Sequence, residues 1–142
     1  MTASLDRAVV VTGASTGIGR AAVASAVREG AHAFPSVRKR EDADDLVREF
    51  GEAVTPLLFD VSEEIAVRAG AAQVAAKLGK HRLFGLVNNA GIAVPGPLLH
   101  LDTEDLERQF KINLFGLHNV TRAFAPLLGW TTRVSVIAGA SS

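Results

Sequence analysis

The chain has 142 residues, no cysteine, a formal net charge of zero and a hydrophobic content of 48%, enough to bury the core of one globular domain. The balanced charge argues against nucleic acid and anionic lipid as partners, and the absence of cysteine excludes disulfides and thiolate metal sites from these residues. No apolar stretch has the length expected of a signal peptide core or a membrane span, so we expect neither, and a cytoplasmic location is the default.

Short apolar runs alternate with helical patterns through the first part of the chain. The β-branched run at residues 8–11 predicts a strand that is buried on both faces, and a small-residue face predicts a helix over residues 17–29. Gly30 ends this helix. Residues 31–37 predict a second strand, which Pro35 weakens because proline cannot donate to a strand ladder.

The middle of the chain continues the same alternation. A charged helix is predicted over residues 41–50, a third strand over residues 54–59 and a fourth strand over residues 83–87. Between these two strands, Ser62 is expected to cap a helix that runs from residue 63 to about residue 80.

The longest helical pattern begins at a cap, Asp102 or Thr103, and runs to about Leu128 with apolar residues at helical spacing. Residues 133–137 then predict a fifth strand. Strict alternation of strands and helices implies right-handed crossovers. We therefore expect one α/β domain over residues 1–142, with a Rossmann-like, doubly wound parallel sheet.

A glycine-rich loop joins the first strand to the first helix. Its glycines let the backbone turn tightly and approach phosphates, and the helix N-terminus directs N–H donors and positive dipole at an anion. A plain glycine-rich turn is the alternative, but the strand-loop-helix context favours a pyrophosphate loop. The residues predicted to contact the phosphates are Gly13, Ser15, Thr16, Gly17, Ile18 and Gly19.

The loop from Thr12 to Gly19 has the form T-G-x-x-x-G-x-G, and three further motifs follow it in order. They are Asp60-Val61 after the third strand, Asn88-Asn89-Ala90-Gly91 after the fourth, and Lys111-Ile112-Asn113 in the long helix. In these motifs and their spacing the sequence resembles the short-chain dehydrogenase/reductase family over residues 8–128. The resemblance implies an NAD(P)-dependent oxidoreductase that moves hydride between nicotinamide and a small carbonyl or alcohol substrate.

The resemblance also implies roles for single residues. Asp60 and Val61 would lie at the adenine, the backbone of Asn89, Ala90 and Gly91 would line the cofactor cleft, and an asparagine of this motif would steady the central sheet. In the long helix, Asn113 would hold a water in the proton relay. Taken without the other motifs, Asp60 can also be interpreted as a strand-end cap and Asn113 as a polar residue on the flank of a helix.

The end of the second strand bears on the choice of cofactor. An acid at this place would bind the ribose 2′-hydroxyl of NAD and repel the 2′-phosphate of NADP. The acid's place holds Val37, and Arg38 follows with a guanidinium able to pair with phosphate. This favours NADP(H) over NAD(H). Thr16 argues the other way, because many NADP-using members carry a basic residue there.

The residues that complete the family's chemistry are missing or ambiguous. Members use a Tyr-x-x-x-Lys motif, in which the lysine lowers the pKa of the tyrosine acid/base, yet the chain has no tyrosine and its last lysine is Lys111. Alternative registers put Val136, Gly139 or Ser142 in the place of the catalytic serine, and only Ser142 preserves function. The four histidines share no ligand-like spacing, so no metal is expected.

Two hypotheses therefore stand. The first is a truncated family member, cut after the fifth strand, that binds the dinucleotide but is inactive or nearly so alone. The second is a non-catalytic nucleotide-binding or interaction module that keeps the fold without the tyrosine. An uncovered strand edge and a wide apolar helix face favour self-association, so a homo-oligomer is expected.

Overall fold

The computed structural model describes residues 3–136, with the backbone alone from residue 131 onward. Within this part of the chain, five parallel strands form one sheet in the order β3-β2-β1-β4-β5. They are β1 (Ser4–Val11), β2 (Ala31–Val37), β3 (Leu57–Leu58), β4 (Leu83–Asn88) and β5 (Leu128–Val136).

Helices connect the strands, and the described residues hold none that is long and apolar enough to cross a membrane. The helices are α1 (Gly17–Arg28), α2 (Arg40–Phe50), α3 (Glu64–Leu78), α4 (Thr103–Phe110) and α5 (Leu117–Phe124), with a π-helical segment (Lys111–Gly116) between the last two.

Side chains that alternate along β1 enter two different cores. Val10 packs in the larger cluster, which contains Val74 of α3 and Phe124 of α5. Val11 packs in a second cluster with Val23 of α1. Both faces of the strand are therefore covered by helices, which explains why its sequence is a continuous apolar run rather than an alternating one.

The order of the strands creates a switch point between β1 and β4. The chain passes from β1 to β2 and β3 on one side, and then crosses to the other side of β1 to form β4 and β5. In an open parallel sheet, ligands bind outside the carboxyl ends of the two strands at such a point. The predicted α/β class and doubly wound parallel sheet are confirmed.

The ladder between β2 and β3 is interrupted by Pro35. The carbonyls of Ala33 and Val37 accept hydrogen bonds from the β3 side, so Pro35, midway between them, directs its missing donor to that side as well. Because Thr55 and Phe59 donate to β2, the nitrogen of Pro56 lies on the outer edge of the sheet and takes no donor from this ladder. The third strand is therefore two residues long, and the prediction of residues 54–59 was too long. β2 keeps its predicted bounds and is buried throughout.

The predicted cap at Ser62 is wrong, whereas Asp102 takes the predicted N-cap position of α4 without a side-chain cap hydrogen bond. Helix α3 begins at Glu64, and the hydroxyl of Ser62 donates to Asp60 Oδ1 at 2.7 Å instead of capping the helix. Asp102 precedes α4, but its side chain makes no cap hydrogen bond, and neither does Thr103 take the cap position. Local turns at both places use the backbone instead.

The long helix predicted to reach Leu128 is interrupted and ends early. Its hydrogen bonds shift to π-helical spacing over Lys111–Gly116, and α5 ends at Phe124, where a 3₁₀ turn (Ala125–Leu127) begins. Pro126 explains the end, because it has no N–H to continue the ladder. The fifth strand starts at Leu128, five residues before the predicted start at Arg133.

Candidate functional site

Gly13 brings the loop after β1 against the loop after β4. Its φ of +64° is in the left-handed region, and a Cβ built on it would lie 2.7 Å from the Cα of Ala90. Any side chain at this position would therefore combine backbone strain with a clash. The two loops meet at the switch point because this residue is glycine.

The hydroxyl of Thr12, just after β1, links the same two loops by hydrogen bonds. Thr12 is buried, and its Oγ1 accepts hydrogen bonds from the backbone N–H groups of Asn89 and Ala90, both at 3.0 Å. The Asn89 side chain adds a third hydrogen bond between the loops, because its Nδ2 donates to the Gly13 carbonyl at 2.9 Å. The start of the N-N-A-G segment is thus fixed to the glycine loop by three hydrogen bonds.

Gly19 does not line the cleft. It packs against the Gly13 carbonyl and the Asn89 side chain. A Cβ on Gly19 would overlap the carbonyl oxygen of Gly13 and lie 2.5 Å from Asn89 Nδ2. The glycine therefore makes room for the hydrogen bond between these two residues. Its function in this structure is close packing of α1 against the loops.

A cleft of about 270 Å³ opens above these contacts, at the carboxyl ends of the strands. It brings together residues from all three predicted cofactor motifs, while Gly17, Ile18 and Gly19 do not line it. The predicted residues in its wall are Gly13, Ser15, Thr16, Arg38, Asp60, Val61, Asn89, Ala90 and Gly91.

Asp60 and Val61 form one end of the cleft and are held from two directions. Asp60 Oδ1 accepts the N–H of Ser62 at 2.9 Å, so the carboxylate closes a local turn while lining the cleft. The Val61 carbonyl accepts Asn119 Nδ2 at 3.1 Å, and a Cβ on Gly116 would lie 2.6 Å from Val61 Cγ2. The π-helical segment and α5 therefore fix this end of the cleft.

Asn113 holds the backbone of Ile92 with both ends of its amide. Its Oδ1 accepts the Ile92 N–H and its Nδ2 donates to the Ile92 carbonyl, each at 2.8 Å. One turn earlier, Gln109 Oε1 accepts the N–H of Val94 at 3.2 Å. The two amides fix the loop after Gly91, and the predicted water-holding role of Asn113 stays a prediction.

The predicted serine position lies outside the described residues. This applies to Ser142 and also to Gly139, whereas Val136 is described only as a backbone position that pairs with Asn88 at the end of β4. The Asn88 side chain is buried and donates from Nδ2 to Thr121 Oγ1 at 3.2 Å. This bond ties β4 to α5, in agreement with the expected role of the motif in steadying the sheet.

His32 is the second residue of β2, at the amino end of the strand and away from the cleft. It is buried, its Nε2 and the Thr55 Oγ1 are 2.8 Å apart, and its ring packs edge-on against Phe34. Burial and then the nearby positive charge of Lys77 lower the pKa of the imidazole below its usual value. The neutral ring is therefore favoured in the folded protein.

Several residues of the site carry no distinct sequence signal. Ser36 is buried at the end of β2, where its hydroxyl accepts the Gly13 N–H at 3.4 Å and its carbonyl accepts the Ala14 N–H at 3.0 Å. The wall of the cleft also includes residues that strand or helix patterns predict only as core or loop. These are Phe59, Ile92 and Ile112. Their position follows from the strand order, which periodicity alone does not give.

The glycine loop, the acid after the third strand and the N-N-A-G segment thus meet at one switch point. A family model described as short chain dehydrogenase matches residues 7–142. The chain belongs to the short chain dehydrogenase family. This confirms the resemblance drawn from the motifs.

Known short-chain dehydrogenases and reductases share both sequence and fold with this chain. An NADPH-dependent 3-dehydrocapnine reductase from Ornithobacterium rhinotracheale is 37% identical over 123 residues, which cover 87% of this chain and 44% of that protein. A short-chain dehydrogenase structure from Streptomyces avermitilis superposes with a TM-score of 0.79 at 33% identity, covering 89% of this chain and 45% of that one.

A second solved structure is a 3-ketoacyl-(acyl-carrier-protein) reductase from Brucella melitensis complexed with NADH. It has a TM-score of 0.79 and 28% identity, over 85% of this chain and 49% of that one. The chain thus spans less than half the length of the relatives and structures it matches here. It corresponds to the nucleotide-binding region of a short-chain dehydrogenase.

Proposed function

We propose that the cleft binds a nicotinamide dinucleotide, with the pyrophosphate at the start of α1 and the adenine at Asp60 and Val61. The observation that carries this proposal is that the glycine loop, Asp60-Val61 and Asn89-Ala90-Gly91 line one cleft at the switch point. Sites for dinucleotides occupy this position in doubly wound sheets.

The shape of the glycine loop fits such a ligand. Gly17 opens helix α1 with a φ of +57°, and no atom lies within 4 Å of the place where its Cβ would be. The first N–H groups of a helix have no partner inside the helix, so they are available to an anion that enters this open space. Helix α1 has 12 residues and no acidic residue in its first turn to oppose the anion.

NADP(H) is proposed as the preferred form. The place of the NAD-selecting acid is occupied by Val37, which is buried, and the adjacent Arg38 is exposed in the wall of the cleft. A guanidinium here has the geometry to pair with a 2′-phosphate, and no carboxylate of β2 repels it. The reductase from Ornithobacterium rhinotracheale is named as NADPH-dependent, whereas the one from Brucella melitensis is complexed with NADH.

The whole protein is proposed to reduce a small carbonyl or oxidise the matching alcohol. The nicotinamide, when bound, supplies or accepts the hydride. The chain's own residues orient it: Asn89 and Ala90 fix the cleft wall, and Asn113 fixes the adjoining loop through Ile92. The 142 residues contain no tyrosine to act as the acid/base.

Titration calorimetry tests the binding proposal directly. The folded chain should bind NADPH and NADH with one site per chain, NADPH more tightly, and Gly13→Val should abolish binding of both. Circular dichroism of each sample establishes that it is folded. A folded wild-type chain that binds neither dinucleotide contradicts the proposal.

Turnover by this polypeptide alone is expected to be at trace level. A positioned acid/base contributes about a hundred- to ten-thousand-fold to the rate, and neither the Asn113 amide nor an unactivated Ser142 hydroxyl replaces it. Identical subunits cannot supply a tyrosine that none of them contains. Cofactor-dependent turnover at ordinary rates across a carbonyl panel, with host reductases excluded by mass spectrometry, would refute this expectation.

Self-association is proposed through the exposed face of α4 and the following π-helical segment. Leu106, Phe110 and Leu114 recur one turn apart and are exposed, and Phe115 lies beside them. A second copy of the chain is the proposed occupant, because a row of large apolar side chains on a helix is typical of an association surface. Sedimentation velocity should show a dimer or larger species that Phe110→Glu converts to monomer, and a monomeric wild-type chain contradicts the proposal.

A further inference from the structure

Arg20, in the first turn of α1, spans from the glycine loop to the end of α2. Its Nη1 donates to the carbonyl of Ser15 at 3.0 Å, and its Nε donates to Glu49 Oε2 at 3.0 Å. Nη2 also donates to the Glu49 carboxylate. The Arg20 side chain is 30% exposed, so water competes only in part for these contacts.

The carbonyl that Arg20 holds belongs to a peptide unit in the wall of the cleft. Ser15 and Thr16 both line the cleft, and the peptide between them is trans. In a planar trans peptide the C=O and the next N–H point in opposite directions. A Ser15 carbonyl directed at Arg20 therefore turns the Thr16 N–H away from Arg20.

No described residue accepts a hydrogen bond from this Thr16 N–H. A rotation of the same peptide by half a turn would present the Ser15 carbonyl oxygen where the N–H now lies. That oxygen carries a negative partial charge and would repel a phosphate. The orientation of one peptide thus decides whether the loop attracts or repels an anion.

We infer that Arg20 is a positioning residue that locks the Ser15–Thr16 peptide with its N–H toward the phosphates of the dinucleotide. The inference rests on the proposed cofactor binding. Arg20 acts through the loop and does not read the 2′-phosphate, which is the proposed part of Arg38. Glu49 is the anchor that keeps the guanidinium in place, because two of its three described side-chain bonds go to this carboxylate.

Ligands with and without phosphate separate this role from a general loss of structure. Arg20→Gln should weaken the binding of NADH and NADPH by about three- to tenfold, the range expected for the net loss of one hydrogen bond. Adenosine, which carries no phosphate, should bind with unchanged affinity by NMR titration. Adenosine 2′-monophosphate shows whether the 2′-phosphate or the pyrophosphate is the affected group.

Matched variants complete the experiment. Arg28→Gln is the control, because Arg28 lies on the same helix and its described side-chain bond goes only to Ser25. Arg20→Lys should restore part of the NADH affinity. Glu49→Gln should weaken NADH less than Arg20→Gln does, and should add nothing when both are combined, since they act through one contact.

Amide chemical shifts give a readout that needs no ligand. In Arg20→Gln the Thr16 amide resonance should shift, because the Ser15 carbonyl of the same peptide loses its donor, while Arg28→Gln leaves it unchanged. Unchanged NADH affinity in Arg20→Gln, or an equal loss for adenosine and NADH, overturns the inference. A folded wild-type chain that binds no dinucleotide overturns the proposed function, and the inference with it.

Discussion

The junction of the β1 and β4 loops and the loop that follows Gly91 border the same cleft but are held by different groups. At the junction, buried Thr12 and the backbone of Gly13 hold Asn89 and Ala90, and glycine packing leaves no room for adjustment. The second loop is held by the amide side chains of half-buried Gln109 and exposed Asn113. The junction is therefore held by buried and half-buried groups, whereas the second loop depends in part on exposed hydrogen bonds that water can replace.

The difference follows from where each group lies in the fold. Contacts at the junction join the ends of two central strands, whose positions the sheet already fixes. The amides project from a helix whose ladder shifts to π-helical spacing at Lys111–Gly116, a feature that is often found at functional sites. The shape of the glycine-loop side of the cleft is thus a property of the core, and the shape of the adjoining loop is a property of one helix.

The largest effect is expected for Gly19→Ala, which breaks the junction. The added methyl group would overlap the Gly13 carbonyl, so the free energy of unfolding should fall by about 2–3 kcal/mol, as for other overpacked sites. NADPH binding should be lost as well. Urea denaturation and calorimetry measure the two effects.

Gly79→Ala provides the control for backbone strain. Gly79 has a φ of +58°, and no atom lies within 4 Å of its Cβ position, so only the left-handed conformation is penalised, by about 1–2 kcal/mol. It should leave NADPH affinity unchanged. A Gly19→Ala protein that binds NADPH like the wild type would show that the junction is not rigid.

Arg38→Ala should produce the next largest effect, confined to one cofactor. Loss of a charge-assisted contact to the 2′-phosphate should weaken NADPH binding by about 1.5–3 kcal/mol and leave NADH binding unchanged. Arg48→Ala is the matched control, because Arg48 lies in α2 and bonds to Asp45. Calorimetry on both dinucleotides gives the comparison, and an equal loss for NADH and NADPH would mean that Arg38 does not select the phosphorylated form.

Asn113→Ala tests the loop that follows Gly91. Removing two exposed hydrogen bonds to Ile92 should lower the free energy of unfolding by about 1 kcal/mol, and NADH affinity should change by less than it does in Gly19→Ala. Gln109→Ala removes one bond and should have a smaller effect. If Asn113→Ala abolishes NADH binding, the two regions are not independent and the contrast drawn above is wrong.

The smallest effect should come from lowering the pH. It should act through His32, which belongs to neither of the two regions. Because the folded protein lowers the pKa of His32, its stabilising contribution is complete above the usual pKa of about 6.5 and decreases as pH falls from there toward the folded value. His32→Asn should flatten the fall in unfolding free energy between pH 7 and 5, while His100→Asn, an exposed control, should not. Identical slopes in all three proteins would contradict the shift.

Much of the fold and of the phosphate side of the cleft is predictable from the sequence. The strand at Ala31–Val37 and the helix at Arg40–Phe50 are apolar or charged runs with clear ends, and the motif order locates the glycine loop. The third strand was predicted too long, because its length depends on Pro35 of the neighbouring strand, which the pattern of residues 54–59 does not show. The π-helical shift was not predicted, since the residues at 111–116 have an ordinary helical pattern.

The strand order also determines when each strand of the sheet can find its partners during synthesis. Residues 4–58 contain β1, β2 and β3, but the other side of β1 pairs only with β4, whose contacts lie at Gly85, Leu86 and Val87. Until the ribosome has released that later segment, Val9 to Val11 present unpaired backbone groups and apolar side chains to solvent. Such a nascent edge is a site for chaperone binding or misassociation, so the central strand of the finished protein is an edge strand of the unfinished one.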